Sequence, residues 1–226
     1  MTALLIAEDL LLLLTDDVKG TVRSSDQADL MLGGALLAEL SLAGRLRITE
    51  HGETHYRPNR VVVVNPAPTD DPILDGALAR LSKKPDYKPQ KAVELLAKDL
   101  RRPLQERLVA RGLLRHERSG FLGLNRWPAA DPNHEAMVRA GLFRVLVQNE
   151  EPTVHLATLI ALLSALKVVD KVIAEDVSTI DKRAVRQRAE ELRKQNWTSE
   201  AVRAAIKAAE AAAIVMASSA VAIANS

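Results

Sequence analysis

Residues 1–20 read MTALLIAEDLLLLLTDDVKG, and this stretch predicts the centre of a helical core. Its apolar run is shorter than the roughly 20 residues that a bilayer-spanning helix needs, and Glu8 and Asp9 interrupt it. The stretch also lacks the basic start of a secretory signal peptide. We therefore predict a buried helix over Ala3–Leu14, and we expect any association with a membrane to be peripheral.

The composition is that of a globular protein with a substantial core. The chain has 226 residues, of which 47% are hydrophobic and 27% charged. Aromatic residues make up only 3%, which favours helix-on-helix packing and argues against a surface that stacks nucleic-acid bases. The chain has no Cys, which excludes disulfides and Cys-ligated metal sites and predicts a cytoplasmic protein.

Outward from the first helix, hydrophobic periodicity predicts a mainly α protein, a single domain over residues 1–226 with about nine helices and two small β-hairpins. The predicted helices cover residues 3–14, 30–42, 70–83, 91–100, 101–113, 132–148, 152–170, 182–194 and 200–223. The first hairpin pairs residues 45–48 with 61–64, and the second covers Arg115–Trp127. Asp70 or Asp71 is expected to cap the third helix.

Charge is distributed unevenly along the chain. Residues 1–79 hold six Lys and Arg against twelve Asp and Glu, whereas residues 80–118 hold twelve Lys and Arg against five Asp and Glu. A local basic excess is what an anion-binding face requires. The alternative is a solvated face whose charges are partly paired and bind nothing.

The sequence gives no positive indication of an enzyme, a cofactor or a metal site. It contains no phosphate-binding loop, no dinucleotide fingerprint and no G-x-S-x-G turn. His51 and His55 are four residues apart but lie in a loop with no third ligand nearby. His155 is predicted to be a hydrogen-bonded core residue, and His116 and His134 are predicted to be isolated.

Two functions fit the basic region from residue 91 to residue 127. The order helix, helix, hairpin fits a winged helix that contacts nucleic acid. We do not favour nucleic acid as a partner, because Pro103 opens the second helix and the hairpin tip is apolar.

The second function is recognition of a lipid headgroup. Lys98 and Arg101 are three residues apart and are predicted to share one helical face, with Arg102 adjacent to them. Arg offers forked hydrogen bonds to a phosphate and Lys offers a point charge.

The hairpin residues Phe121, Leu122 and Leu124 are expected to enter the interfacial layer of a membrane, with Trp127 at its boundary. The alternative for these side chains is packing, either in the core or in a protein–protein contact.

The chain resembles the Golgi phosphoprotein 3-like (GPP34) family, and specifically its bacterial, actinobacterial-type members. The most specific segments are LIAEDLLLLLTDDVKG at residues 5–20 and GALLAELSLAGRL at residues 34–46. LQERLVARGLL, the hairpin with FLGL, and LATLIALLSALKVVDKV add to the resemblance, which covers nearly the whole chain. None of these segments is a catalytic motif.

This resemblance implies a helical bundle wrapped by amphipathic helices, with one protruding hairpin that contributes to membrane contact and self-association. It also implies phosphatidylinositol-4-phosphate binding on a basic face, and Golgi members act as adaptors for glycosyltransferase tails. Two basic residues of the family's pocket fall on Lys98 and Arg101. Its tryptophan and arginine fall on Ser24 and Gly33, so half of the pocket is lost. The bacterial-type composition argues against a Golgi location.

We therefore expect a peripheral-membrane binding module for anionic, inositol-containing phospholipid headgroups, without cofactor or metal. The alternative is a protein-interaction module that has kept the fold and lost the lipid site. Such a module would use the same hairpin for binding a partner or for forming a homo-oligomer.

Overall fold

The computed structural model describes residues 3–23, 25–119, 124–174 and 180–195, together with residues 207 and 214. Its helices in those four ranges are α1 Ile6–Leu14, α2 Ser25–Leu42, α3 Pro72–Leu81, α4 Pro89–Ala97, α5 Arg101–Ala110, α6 Asn133–Val147, α7 Val154–Ala165, α8 Val169–Ala174 and α9 Lys182–Lys194. Buried side chains from all nine of these helices form one core cluster. The predicted mainly helical fold with a single core is confirmed.

Helix α1 lies at the centre of this core. Every one of its residues is buried, including Glu8 and Asp9, and it packs against α2, α5, α6 and α7. The helix begins at Ile6 rather than at Ala3, because the Glu8 carboxylate accepts a hydrogen bond from the Leu5 N–H (2.9 Å) and so caps the first turn. A helix surrounded by protein explains why its sequence is apolar on every side.

Close packing of α2 against α4 depends on Gly33. A Cβ atom at this position would lie 2.5 Å from the Val93 carbonyl oxygen and 2.8 Å from the Ala97 nitrogen. Both are backbone atoms that cannot rotate away. Gly33 therefore allows the two helix backbones to approach.

Both predicted hairpins are present. Strands β1 (Leu46–Ile48) and β2 (Val61–Val63) pair antiparallel, and so do β3 (Glu117–Ser119) and β4 (Leu124–Arg126). Only the turn of the second hairpin, residues 120–123, lies outside the described residues.

The base of the second hairpin is held by the turn that follows α1. The Trp127 N–H donates to the Gly20 carbonyl (3.1 Å), and the Ala129 N–H donates to the Asp17 carbonyl (3.0 Å). Gly20 has a φ of +63°, and a Cβ there would lie 2.3 Å from the Trp127 nitrogen. The glycine that ends the segment LIAEDLLLLLTDDVKG is thus required by both its conformation and this contact.

Two predicted helix boundaries are wrong for the same reason. The chain leaves α4 after Ala97, and Asp99 adopts a left-handed φ of +57° before α5 begins. The predicted helix over residues 152–170 is likewise divided into α7 and α8 by Lys167, whose φ is +56°. The predicted helix over residues 200–223 lies outside the described residues, except that residues 207 and 214 are helical.

Candidate anion-binding face

The junction between α4 and α5 places Lys98 and Arg101 differently from the prediction. Lys98 is the C-terminal cap of α4 in an extended conformation, and its carbonyl accepts a hydrogen bond from Arg80 Nη1 (2.9 Å). Leu100 is buried and anchors the start of α5. Lys98 and Arg101 therefore belong to different elements, and the prediction that they share one helical face is wrong.

Arg101 points toward α2. Its Nε donates to the Asp29 carboxylate at 2.7 Å, and the Arg101 side chain is 25% exposed. Lys98 is exposed and makes no ion pair with any residue that the structure describes. An anion that bound at this junction would meet the Lys98 ammonium directly but would compete with Asp29 for Arg101.

Arg102 is the most exposed cation of α5. Its side chain is 81% exposed, and its Nε donates to Glu106 one turn later at 2.8 Å. An exposed pair of this kind contributes only about 0.2–1 kcal/mol to stability. Arg102 can therefore exchange Glu106 for another anion at little cost.

The two family pocket positions that this chain lacks have separate explanations. Ser24 lies outside the described residues. Gly33 faces the α4 backbone, so no side chain at that position could reach a ligand. An arginine at position 33 is incompatible with this packing of α2 on α4.

The hairpin residues are described only in part. Phe121 and Leu122 lie outside the described residues, so their contact with a membrane stays a prediction. Leu124 starts β4 opposite Ser119.

Trp127, which follows β4, is half-buried and stacks on His116, with ring centroids 4.3 Å apart. His116 Nε2 also lies 2.9 Å from Asn125 Oδ1, within hydrogen-bonding distance. The prediction that His116 is isolated is therefore wrong.

A cavity of about 420 Å³ opens between α5 and the β3–β4 hairpin. Arg102 lines it from α5 and Arg118 lines it from β3, while Gln105 and Trp127 contribute further lining. Arg118 is exposed, so both guanidinium groups are accessible to solvent. This arrangement brings together two cations that are sixteen positions apart in the sequence.

Other cations of the basic segment point into the protein. Arg107 Nε donates to Glu8 (2.9 Å), and Arg107 Nη1 donates to Asp71 (2.6 Å). Arg111 Nε lies 3.8 Å from the same Glu8 carboxylate. Asp71 also accepts hydrogen bonds from the first turn of α3, which confirms it as the predicted cap. Part of the basic excess in the sequence therefore neutralises acids of the first 79 residues.

The Asp9 carboxylate contacts two histidines that lie more than 120 positions later in the sequence. His134 Nε2 and His155 Nε2 each lie 2.7 Å from one oxygen of the Asp9 carboxylate, whose side chain is 6% exposed. The predicted hydrogen bond of His155 is confirmed, but its side chain is 35% exposed, so its predicted place in the core is wrong. The prediction that His134 is isolated is also wrong. The acidic pair inside an apolar helix is the signal from which such partners could have been predicted, because buried carboxylates need donors.

Burial also raises the pKa values of two acids around α1. Burial raises the pKa of Glu39, although its carboxylate accepts a hydrogen bond from the Ile6 N–H. Burial raises the pKa of Glu135 to about 7, against the opposing effect of the adjacent Arg139, and the nearby Asp17 carboxyl raises it further. The interior around α1 is thus crowded with acidic groups that compete for a few cations.

Two features were searched for among the described residues: a helix that could span a membrane and a cluster of metal ligands. None of them is both long and apolar enough to cross a bilayer. Within the same part of the chain, no three His, Asp or Glu side chains are arranged to hold a metal ion.

The described part of the chain is a mainly helical core with exposed cations beside its second hairpin. Residues 6–209 match the family model described as Golgi phosphoprotein 3 (GPP34), and the chain belongs to that family. A comparison with curated proteins finds no match.

Proposed function

We propose that this protein binds membranes peripherally by recognising anionic phospholipid headgroups. The observation that carries the proposal is a group of exposed cations: Arg102 on α5 and Arg118 on β3, which line one cavity beside the second hairpin, and Lys98 just before α5. Membership of the GPP34 family is consistent with a lipid-binding or adaptor role. The family resemblance suggests phosphatidylinositol 4-phosphate as the first lipid to test.

The local geometry supports attraction to an anionic surface. Arg102 and Lys98 are exposed, and the one carboxylate paired with Arg102 is itself 54% exposed. Cations near an anionic membrane surface each contribute about 1 kcal/mol, and this attraction weakens within a Debye length of about 10 Å at 0.1 M salt. Binding by this face is therefore expected to fall as salt is raised.

The test is co-sedimentation with three kinds of vesicle: neutral phosphatidylcholine, the same lipid with phosphatidylinositol 4-phosphate, and the same lipid with phosphatidylglycerol of equal total charge. We expect binding to the anionic vesicles only. A preference for the phosphoinositide indicates a headgroup pocket, and equal binding to both anionic mixtures indicates a nonspecific basic patch. Absence of binding to all three vesicles overturns the proposal.

The matched variants are Lys98→Glu/Arg102→Glu and a control, Arg144→Glu/Lys194→Glu. The control makes the same charge change at exposed positions on α6 and α9. We expect the first variant to lose at least about tenfold in vesicle affinity, since charged contacts contribute about 1.5–3 kcal/mol each. Equal losses in both variants would mean that net charge, and not this face, drives binding.

The second candidate function is protein interaction through the hairpin region. It is favoured by Val18, which is 86% exposed at the tip of the turn that holds the hairpin base. One exposed apolar side chain is ordinary on a protein surface, so this candidate ranks below lipid binding. Sedimentation velocity of Val18→Ser and of Phe121→Ser/Leu122→Ser tests this role, and an altered oligomeric state with unchanged vesicle binding would favour it.

A further inference from the structure

A cleft of about 300 Å³ lies between the C-terminal end of α6 and helix α9. Its volume is at the lower end of the range of about 300–1,000 Å³ that is usual for ligand pockets, so it suits a compact ligand. None of the described residues that line it belongs to the second hairpin or to the group of exposed cations beside that hairpin. A ligand of this cleft would therefore be additional to the proposed membrane function.

Arg188 is the side chain that points to a ligand. It lines the cleft, and its side chain is 24% exposed. Its Nε is buried and has no hydrogen-bond partner among the residues that the structure describes. Its Nη1 lies 3.8 Å from Glu191 Oε2, which is too far for a hydrogen bond. Since buried N–H groups are nearly always hydrogen-bonded, this guanidinium has unused capacity that a carboxylate in the cleft would fill with forked hydrogen bonds.

Two exposed carboxylates, Asp181 and Glu191, also line the cleft. Asp181 Oδ1 caps α9 by accepting two backbone N–H groups, whereas no residue in the described part of the chain donates to Asp181 Oδ2. Glu191 Oε1 accepts from Gln187 at 3.1 Å. The two acids exceed the one arginine of the described lining by one negative charge. This excess favours a ligand with a net positive charge.

The charged groups are spaced unevenly along α9. Arg188 and Glu191 are three positions apart and are neighbours on the helix surface. Asp181 precedes Arg188 by seven positions, which corresponds to about 10 Å along the helix axis. Val185 lies between them in the sequence, and Val147 of α6, which is 38% exposed, adds an apolar side chain to the same lining. The cleft thus combines two opposite charges at one end, apolar side chains, and a second carboxylate at the other end.

We propose that this cleft binds a basic α-amino acid, of which L-lysine is the simplest probe. The α-carboxylate contacts Arg188, and the α-ammonium group contacts Glu191. The aliphatic stem lies against Val185 and Val147, and the terminal ammonium group contacts Asp181. An α-amino acid carries its carboxylate and ammonium groups on one carbon atom, so its head matches a neighbouring cation and anion. The net positive charge of the ligand balances the excess negative charge of the lining.

The experiment is titration calorimetry of the full chain with four probes of similar skeleton. L-Lysine carries all three charged groups, L-norleucine lacks the terminal ammonium, 6-aminohexanoate lacks the α-ammonium, and 1,5-diaminopentane lacks the carboxylate. We expect saturable binding of L-lysine and at least tenfold weaker binding of each of the other three probes. Absence of L-lysine binding overturns the proposal. Binding of 1,5-diaminopentane as tight as that of L-lysine overturns the assignment of an amino acid.

Asp181→Asn tests the contact with the terminal ammonium group. Asn is as good an N-cap as Asp, so this variant removes the charge and keeps the start of α9. We expect its affinity for L-lysine to fall at least tenfold, to that for L-norleucine, with no change in the affinity for L-norleucine itself. Equal weakening of both probes would mean that the substitution acts through the structure of α9, and would contradict this contact.

Arg188→Gln and Glu191→Gln test the contacts with the head of the amino acid. Each is expected to weaken binding of L-lysine at least tenfold, whereas the controls Arg186→Gln on α9 and Glu94→Gln on α4 are expected to change nothing. Glu191 is exposed, so its variant keeps the test valid even where Arg188→Gln folds poorly. Equal losses in variants and controls would overturn the site. Vesicle binding should be unchanged throughout, so failure of this inference is distinguishable from failure of the proposed function.

Discussion

Arg107 and Arg102 lie five residues apart on α5 and experience opposite environments. Arg107 reaches into the core, where it contacts Glu8, which is fully buried, and Asp71. Arg102 stands in solvent beside the hairpin and pairs with an exposed carboxylate. One helix therefore uses its charges for cohesion on one side and leaves them available for recognition on the other. A basic sequence does not by itself define a binding face, because some of its cations neutralise buried acids.

The largest effect on stability is expected for Arg107→Ala. The variant leaves the buried Glu8 carboxylate without its close cation, and removing one partner of a buried pair costs about 3–5 kcal/mol. We expect a loss of that size in the free energy of unfolding, measured by urea denaturation. Arg102→Ala is the control and should change stability by less than about 0.5 kcal/mol. Similar losses of stability in the two variants would contradict the view that only Arg107 stabilises the core.

The pH dependence of stability tests whether Glu135 is buried at a cost to its charged form. Burial raises its pKa to about 7 in the folded protein, from an ordinary value of 4.5. The folded state then binds the proton more tightly than the unfolded state, so this group's contribution is fully present below pH 4.5 and is lost as pH rises through about 7. The change is up to about 3 kcal/mol.

Urea unfolding at about pH 5 and about pH 8 measures this effect. Glu135→Gln should remove this part of the pH dependence and should leave the protein relatively more stable at the higher pH. Glu150→Gln, at an exposed position on the loop after α6, is the matched control. A pH slope that is unchanged in Glu135→Gln would show that another group is responsible.

Replacement of Gly33 tests how strongly the close packing of α2 against α4 contributes to stability. In Gly33→Ala the new Cβ would meet the backbone of α4, so we expect a loss of about 1–3 kcal/mol in unfolding free energy. Gly76→Ala is the control, because a Cβ at that helical position meets nothing within 4 Å. Replacement of a helical glycine with open surroundings should stabilise by about 0.5–1 kcal/mol. Stabilisation by both changes would mean that α2 and α4 can separate without cost.

The smallest effect on stability is expected for Lys98→Glu/Arg102→Glu. Both side chains are exposed, so unfolding free energy should change by less than about 0.5 kcal/mol. Vesicle binding should nevertheless fall, and added salt should reproduce that loss in the unsubstituted protein. A large change in stability would mean that Lys98 and Arg102, like Arg107, stabilise the fold rather than form a binding face.

Local sequence patterns predicted most of the fold. The apolar runs identified the core helices, and the β-branched run at residues 61–64 identified a strand. Two of the boundaries that were wrong, the end of α4 and the division between α7 and α8, depend on single residues in a left-handed conformation, Asp99 and Lys167. Neither residue is a glycine: Asp is enriched in this conformation but usually adopts others, and Lys has no such preference, so the signal in the sequence was weak at Asp99 and absent at Lys167.

The candidate site was less predictable because its contacts are distant in sequence. Arg107 and Glu8 are 99 residues apart, and His134 and Asp9 are 125 residues apart. The charge excess of residues 80–118 was visible, but its division between core and surface was not. Gln105 carried no signal at all, since a polar residue in a helix is ordinarily exposed.

The hydrogen bonds from Trp127 and Ala129 to the turn after α1 have a mechanical consequence. A protein held at its hairpin, whether by a bilayer or by a partner, transmits pulling force through the base of that hairpin. Here the force would pass directly into the turn that ends α1, the helix with every residue buried. The base of the hairpin is thus hydrogen-bonded to the turn that follows a fully buried helix, so a force on the hairpin would be resisted by the packing of the core.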